Sequence, residues 1–310
     1  MWNLNIYLPV ANRSVHMFLL VGLGTAVGFL AGLFGVGGGF LMTPLLMTIG
    51  ISPTVAAATD ANQIVAATTS GTFAHWRLGN VDFKMGLLLV GGGLLGGTLG
   101  VQLVKVLRAA GEAGAVIKIT YIVLLGIIGS YMFWESLRSL KHRPLPQTGI
   151  APEKKSWFLR CCDALPLPLH FEKSGVTVSV FLPIILGSLV GVIAALLGVG
   201  GGFIMVPVMV YLLRMPMRTA VGTNLFQEVI ICSNITYMQS YYNHTVDLML
   251  AIILLVGSTV GAQIGARVSR RLMADQLKII LASIILLVMI NIALGVVHHP
   301  AAMFSFRGGH

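Results

Sequence analysis

Two carboxyls, several amides and a few hydroxyls lie in stretches of this chain that are otherwise apolar. Thr59, Asp60, Asn62, Gln63 and His75 fall between Thr54 and His75, and Thr223, Asn224, Gln227, Glu228, Asn234 and Gln239 fall between Thr219 and Ser240. On a helix, Thr59 and Gln63 share a face at i, i+4, as do Thr223 and Gln227. Amide and hydroxyl donors so spaced can hold the oxygens of a sulfonate or carboxylate. They can equally bond one helix to another, and both uses stand open. Glu228 sits near the middle of its segment. A carboxyl at membrane depth marks function by default, and one that gains and loses a proton suits proton coupling. The plain alternative is a buried Glu that only hydrogen-bonds. Asp60, nearer a segment end and within reach of water, is the second proton-coupling candidate.

A second group of candidates has no side chain at all. The word Gly35-Val36-Gly37-Gly38-Gly39-Phe40 returns as Gly198-Val199-Gly200-Gly201-Gly202-Phe203, each time interrupting a long uncharged stretch, Ser14–Thr59 or Val176–Leu213. About 20 residues cross a bilayer core, so each stretch exceeds one crossing. Consecutive glycines each lower helix propensity by about 1 kcal/mol and favour a break. The segment that follows then begins as a helix with free N–H groups and a positive dipole end, with Pro44 and Pro207 expected near that start. Two such starts meeting at the centre make an anion site without a charged side chain. Gly37, Gly38, Gly39, Gly200, Gly201 and Gly202 are therefore substrate-binding candidates with Thr59, Asn62, Gln63, Thr223, Asn224 and Gln227. The opposing reading is that the glycines serve only close helix packing. It fits the four-residue ladders Gly92, Gly96, Gly100 and Gly257, Gly261, Gly265 better than it fits the words.

The elements that position these residues are expected to be membrane helices. Of 310 residues 56% are hydrophobic and 10% charged, where a soluble domain carries about 25% charged. The net charge of +10 comes from basic residues between apolar runs, so it reads as loop charge that orients the protein, not as a nucleic-acid surface. The chain is a duplication. At an offset of 163 residues Gly24, Gly28, the word and Pro44 meet Gly187, Gly191, the second word and Pro207. At 164, Thr59 and Gln63 meet Thr223 and Gln227, Asp60 faces Asn224, and Ile64 faces Glu228. At 165, Val81-Asp82 meets Val246-Asp247, and the glycine ladders coincide. The expected fold is an all-α integral membrane protein of two inverted repeats. Each repeat holds about five helical segments with Gly-broken helices, in units 14–138 and 176–298.

Residues 139–175 join the units with a polar stretch rich in Lys, Arg and Pro, expected to be a cytoplasmic connector in which Leu167–Phe171 forms a short strand. Cys161 and Cys162 there have no zinc spacing and read as reduced thiols. No signal-peptide pattern opens the chain, so the first span is expected to stay. Charge chooses the topology. Ten crossings put 15 Lys and Arg on the linker face and 5 on the other, whereas eight crossings with re-entrant segments give 11 against 9. Without the linker the ten-crossing bias falls to 8 against 5. Both termini are then expected outside.

The duplicated GVGGGF followed by Pro, the Thr-Asp/Asn…Gln stretch after each word and the Gly-rich fourth segments resemble the sulfite exporter TauE/SafE family, over about residues 17–297. The resemblance implies a multi-pass transporter of the bacterial inner membrane that carries sulfite, thiosulfate, sulfoacetate or other sulfonates. It also implies that the broken helices and polar third segments line the route. The full expectation is an exporter of a small anion, proton-coupled and working by alternating access. The other readings are an anion channel or a non-transporting scaffold subunit. Besides the small anion, its only expected partners are lipid and, in a homo-oligomer, further copies of the chain; nucleic acid is not among them. His16, His75, His244, His298 and His299 share no ligand spacing, and no catalytic set can be assembled. Neither metal, cofactor nor enzyme activity is expected.

Overall fold

A computed structural model describes residues 5–34, 39–141, 167–269 and 274–298. Most of the linker, with Cys161 and Cys162, lies outside them. Ten helices are described: α1 (Met17–Phe34), α2 (Gly39–Thr48), α3 (Pro53–Arg77), α4 (Phe83–Ala109), α5 (Ala113–Lys141), α6 (Phe181–Leu197), α7 (Gly202–Leu212, α-helical to Pro207 and π-helical after it), α8 (Met217–Met238, extended by a π turn to Asn243), α9 (Leu248–Ser269) and α10 (Ala274–His298). Two hairpins complete the list, β1 (Asn5–Leu8) with β2 (Arg13–His16) and β3 (Pro168–Phe171) with β4 (Val176–Ser179). The all-α fold and the strand near Leu167–Phe171 are as the sequence predicts.

The helices are apolar on the outside. Leu87, Leu95, Leu99 and Leu103 line the exposed face of α4, and Leu248, Ile252, Val256, Val260 and Ile264 that of α9. Exposed apolar stripes of this length mark a surface that meets lipid. Phe83–Ala109, Ala113–Tyr131 and Leu248–Gly265 are long and apolar enough to cross a membrane. The glycine ladders lie on the opposite faces. Gly24 lies against Leu254 and Gly257, Gly28 against Ser258, and Gly261 against Thr25 and Phe29, so α1 and α9 run parallel with their backbones in contact. Gly92 lies against Ile184, Gly96 against Ser188 and Gly100 against Val192, which sets α4 parallel to α6 in the same way. In lipid there is no hydrophobic force between helices, so close backbone packing through small residues is the main source of association.

The pairing is reciprocal between the units. The first helix of each unit packs on the fourth of the other (α1 with α9, α6 with α4), the third on the third (α3 with α8) and the fifth on the fifth (α5 with α10). Gly71 lies against Leu225 and Gly222 against His75, so α3 and α8 are antiparallel. Arg13 donates to the Ile49 carbonyl at 3.5 Å, which brings the end of α2 back to the level at which α1 began. The prolines lie deeper than expected. Pro44 and Pro207 are each the sixth residue of their helices, past the first turn. There a missing N–H removes a real helical bond, and at Pro207 the helix loosens into the π turn.

These contacts predict a contrast within α1. A Cβ at Gly28 would overlap the Ser258 backbone, whereas one at Gly22 meets nothing within 4 Å. Gly28→Ala should destabilise the purified protein by about 1–3 kcal/mol, read as a lower thermal midpoint in detergent, and Gly22→Ala should leave that midpoint unchanged or raised.

Candidate functional site

The two glycine words converge. Phe40 and Phe203, matched residues of the two words, pack with ring centroids 5.7 Å apart. A Cβ on Gly39, the first residue of α2, would stand 3.1 Å from the Val199 carbonyl and would overlap the Ile64 side chain. A Cβ on Gly200 would stand 3.1 Å from the Cys232 sulfur, 3.2 Å from Ile64 and 3.3 Å from a Glu228 oxygen. Ile64 thus touches both words, and the polar third helices α3 and α8 pass beside them.

The second word is unwound for a local reason. Gly198, Gly200 and Gly201 have φ of +71°, +73° and +83°, a region that costs other residues about 1–2 kcal/mol. Gly198 ends α6 in a left-handed cap whose N–H returns to the Ala194 carbonyl. It has no room for a side chain, because its Cα lies on the backbone of Ala57 in α3. The neighbouring carbonyl of Leu197 accepts a 2.7 Å bond from the buried Tyr121 hydroxyl of α5. Gly37 and Gly38 of the first word lie outside the described residues.

Of the other expected site residues, Gly39, Thr59, Asp60, Gln63, Gly200, Gly201, Gly202, Thr223, Asn224, Gln227 and Glu228 are buried, and Asn62 is half-buried. Their partners divide them. The Thr59 hydroxyl accepts the Asp247 N–H at 3.1 Å, and the Thr223 hydroxyl accepts the Asp82 N–H at 3.0 Å. Asp82 and Asp247 are N-caps of α4 and α9, each 3.1 Å from the N–H three residues on. These two threonines therefore fasten each third helix to the fourth helix of the other unit. Asp60 takes both donors of Thr43 on Oδ2, the hydroxyl at 2.8 Å and the amide at 3.2 Å. Gln227 donates to Asn224 Oδ1 at 3.0 Å.

What remains is a set of bare polar atoms on α3 and α8. Asp60 Oδ1, Gln63 Oε1, Asn224 Nδ2, Gln227 Oε1 and both oxygens of Glu228 are buried without a well-formed hydrogen bond. An unpaired buried polar group costs about 1–3 kcal/mol, so this cluster weighs against stability. Glu228 lies against Gly202, at the start of α7, where a Cβ would overlap its Oε1 and stand 2.7 Å from Asn224 Nδ2. Cavities of about 210 and 240 Å³ open elsewhere, the first beside Asp82 and Glu172 and the second beside Trp76 and Phe226. The central side chains themselves are closed to solvent.

Sequence reasoning missed several supports of this centre. Thr43 and Tyr121 carry no pattern that separates them from neighbours. The hairpins do: β1, β2, β3 and β4 coincide at the 163 offset, so the duplication begins before the first helix. Their turns are equivalent too. Val10 and Ala11 donate to Asp247 Oδ2 at 3.1 and 3.3 Å, and Ser174 donates to Asp82 Oδ2 at 2.5 Å.

Apolar helices packed through glycine around a closed polar centre made by two broken helices describe a membrane transport protein. The chain belongs to the sulfite exporter TauE/SafE family, whose profile matches residues 20–292. It is 29% identical over 274 residues to "Probable membrane transporter protein YjnA" of Bacillus subtilis (strain 168), covering 88% of this chain and 97% of that one. To "Probable membrane transporter protein YunE" of the same organism it is 25% identical over 279 residues, 87% and 94% of the two chains. A shorter match, 39% over 70 residues, joins it to "Sulfite exporter TauE/SafE family protein 1" of Arabidopsis thaliana, 23% of this chain and 15% of that one. No solved structure matches. The chain is accordingly a membrane transporter.

Gly201 tests whether the word is conformational. Its φ of +83° and the 2.6 Å from an added Cβ to Val190 leave no place for a side chain. Gly201→Leu should lower transport at least about tenfold, the equivalent of ~1.4 kcal/mol, while the protein still inserts and extracts normally. Wild-type transport in the variant would reduce the word to a packing feature.

Proposed function

We propose that this protein exports small sulfur-containing anions, such as sulfite, sulfoacetate or other sulfonates, across a bacterial inner membrane by proton-coupled alternating access. The observation that carries the reading is the meeting of two broken helices at one buried place lined by unpartnered polar atoms. The starts of α2 and α7 offer orphan backbone N–H groups and a positive dipole end. Asn224 adds an amide donor beside the start of α7. Donors without a fixed cation suit an anion that must leave as readily as it arrives. The relatives named for sulfite export support the substrate class. The burial of the centre on every side favours a carrier over an open channel. Gly39, Gly200, Gly201, Gly202, Gln63, Asn224 and Gln227 hold the anion in this reading, with Gly37, Gly38 and Asn62 as further lining. Thr59 and Thr223 position the helices beside it. No cofactor is needed.

The units are read as inverted repeats, 14–138 and 176–298, joined by a cytoplasmic linker at 139–175. Chain direction supports this. The end of α2 returns to the side on which α1 starts, and α3, about 37 Å long at 1.5 Å per residue, crosses from there, so α4 starts on the far side. Since α6 runs parallel to α4, the second unit starts on the side opposite to the first. Charge agrees, with 15 Lys and Arg on the linker face against 5. Membrane-impermeant maleimide should therefore label Cys161 and Cys162 only from the cytoplasm. In a variant lacking both, Glu112→Cys should label only from outside. Labelling of both positions from one face refutes the inverted arrangement.

Glu228 carries the proton in this scheme, with Asp60 the next candidate. Glu228 is buried at the centre and has Ile64 as its counterpart, so it breaks the symmetry of the two halves. In liposomes, counterflow of labelled sulfite and sulfoacetate should saturate, and sulfate and acetate serve as comparisons. An imposed proton gradient should drive accumulation. Glu228→Gln should exchange labelled anion without accumulating it. Accumulation by that variant would move the coupling elsewhere.

A further inference from the structure

We propose that the Glu228 carboxylate is a tethered anion, seated at the start of α7 in the place that the transported anion takes when it binds. The proposal rests on the anion-site reading above and adds what occupies that site when no substrate does.

Gly202 is the first residue of α7, and the helix there runs on for 11 residues. Its first bonded amides are those of Ile204 and Met205, both returning to the Gly201 carbonyl. The N–H groups of Gly202 and Phe203 are the orphans that a helix start offers to an anion. Against this same residue lie a Glu228 oxygen and Asn224 Nδ2, so close that a Cβ at Gly202 would overlap the one and stand 2.7 Å from the other. The carboxylate has reached a helix start and an amide donor, the two features that would hold an oxyanion. Its partners there are the Gly202 backbone and the Asn224 side chain, the same two donors that would hold an oxyanion, so substrate can take its place only by displacing it.

The first unit supplies an internal comparison. Ile64 stands at the position equivalent to Glu228 and packs against Gly39, the equivalent of Gly202. The two halves thus make the same side-chain-to-glycine contact, once with a methyl group and once with a carboxyl. Packing alone is met by the methyl group, so the carboxyl is there for its charge.

The charges around Glu228 force a choice between it and substrate. The ionisable groups packed nearest it are Cys232 on α8 and, beyond Cys232, Asp60 on α3, neither of them a cation. Among the described residues no Lys or Arg is buried. An ionised Glu228 and a bound anion would then share one small, dry space with no positive charge to separate them. Binding must be accompanied by a proton on Glu228 or by withdrawal of its carboxylate. With the proton, the site takes up one proton for each monovalent anion that binds, and its net charge is unchanged. It also fixes the sign: where Glu228 is ionised in the free protein, anion affinity falls as pH rises, by up to tenfold per unit.

Methanesulfonate, whose single charge does not titrate in the working range, is the probe. Its affinity for the full-length purified protein is measured by calorimetry from pH 5 to 9, with sulfoacetate alongside. Wild type should bind more weakly as pH rises, towards tenfold per unit, and Glu228→Gln should bind with no pH dependence and more tightly than wild type at pH 9. Glu228→Ala should in addition bind acetate, the severed head of the missing side chain, in competition with methanesulfonate. Glu228→Asp, one methylene shorter, keeps the charge and retracts it. It should bind more tightly than wild type at pH 9, and it replaces Glu228→Ala if that variant unfolds. A wild-type pH slope in Glu228→Gln, or methanesulfonate binding to Glu228→Ala without acetate competition, overturns the tethered anion and leaves the anion site standing. No binding of either sulfonate by any form, wild type included, removes the anion site and this proposal together.

Discussion

An interrupted helix at membrane depth must have every freed backbone group met by protein or by a polar cavity, because lipid offers nothing in exchange. That constraint governs the whole molecule. The end of α6 meets it with the αL cap at Gly198, which turns the chain, and with Tyr121, which supplies the donor for Leu197. The start of α2 meets it through Asp60, which takes the Thr43 amide and hydroxyl next to the gap left by Pro44. None of these partners works from a distance. α3 must come close enough for Gly198 to rest on Ala57, and α5 close enough to deliver Tyr121. The remainder of the fold can be understood as what holds them there.

It does so by exchange. Neither unit closes on itself: α1 has its close partner in α9 and α6 has its own in α4, through glycines whose Cα atoms face the other backbone. The caps repeat the exchange. Asp247 fixes the start of α9, takes two amides from the first hairpin and gives its own N–H to Thr59 of α3; Asp82 joins α4, the second hairpin and Thr223 of α8 in the same way. Thr59 and Thr223 immediately precede Asp60 and Asn224. Whatever displaces either hairpin or either fourth helix is therefore one residue from the central polar cluster.

Much of this was legible in the sequence, for identifiable reasons. The glycine words and ladders are visible because glycine recurs at fixed spacing in a hydrophobic chain for few reasons: another backbone is near, or the chain takes a positive φ. The all-α architecture, the duplication and the polar third helices follow from the same regularities. The prolines were placed too near the helix starts, since the word fixes that a helix breaks and not the residue at which it resumes. The threonine pair was legible as polar and matched but not in its role, because a hydroxyl that accepts a capping amide from another unit looks in sequence like one that awaits a ligand. Tyr121 was illegible: a single aromatic in an apolar helix reads as core, and only the Leu197 carbonyl in front of it makes it a donor. The hairpins were half seen. One alternating stretch stands out within the linker, while its equivalent at the other end of the offset has too little pattern to show.

The places where the duplication fails are as informative as those where it holds. Thr59, Gln63 and the Asp82 cap survive in both copies, as do the words, and these shape the backbone. The departures cluster at the centre: Asp60 against Asn224, Ile64 against Glu228, and Thr43 against Val206 at the 163 offset. They are coordinated. Where the first unit has a carboxyl at the earlier position, with Thr43 to bond it, the second has an amide there, an apolar partner, and the carboxyl one helical turn on. The acid of the first unit is consequently tied to Thr43 of its broken helix by two hydrogen bonds, while that of the second lies against Gly202 at the start of its own broken helix, beside Asn224. A scaffold has no use for this difference, since either arrangement would hold the helices. A carrier does. In the proposed scheme one acid keeps a fixed partner and stabilises the break, and the other changes its charge and its contacts during the cycle. Two identical halves would make the centre the same from either side, and the unmatched carboxyl is what makes its two halves differ.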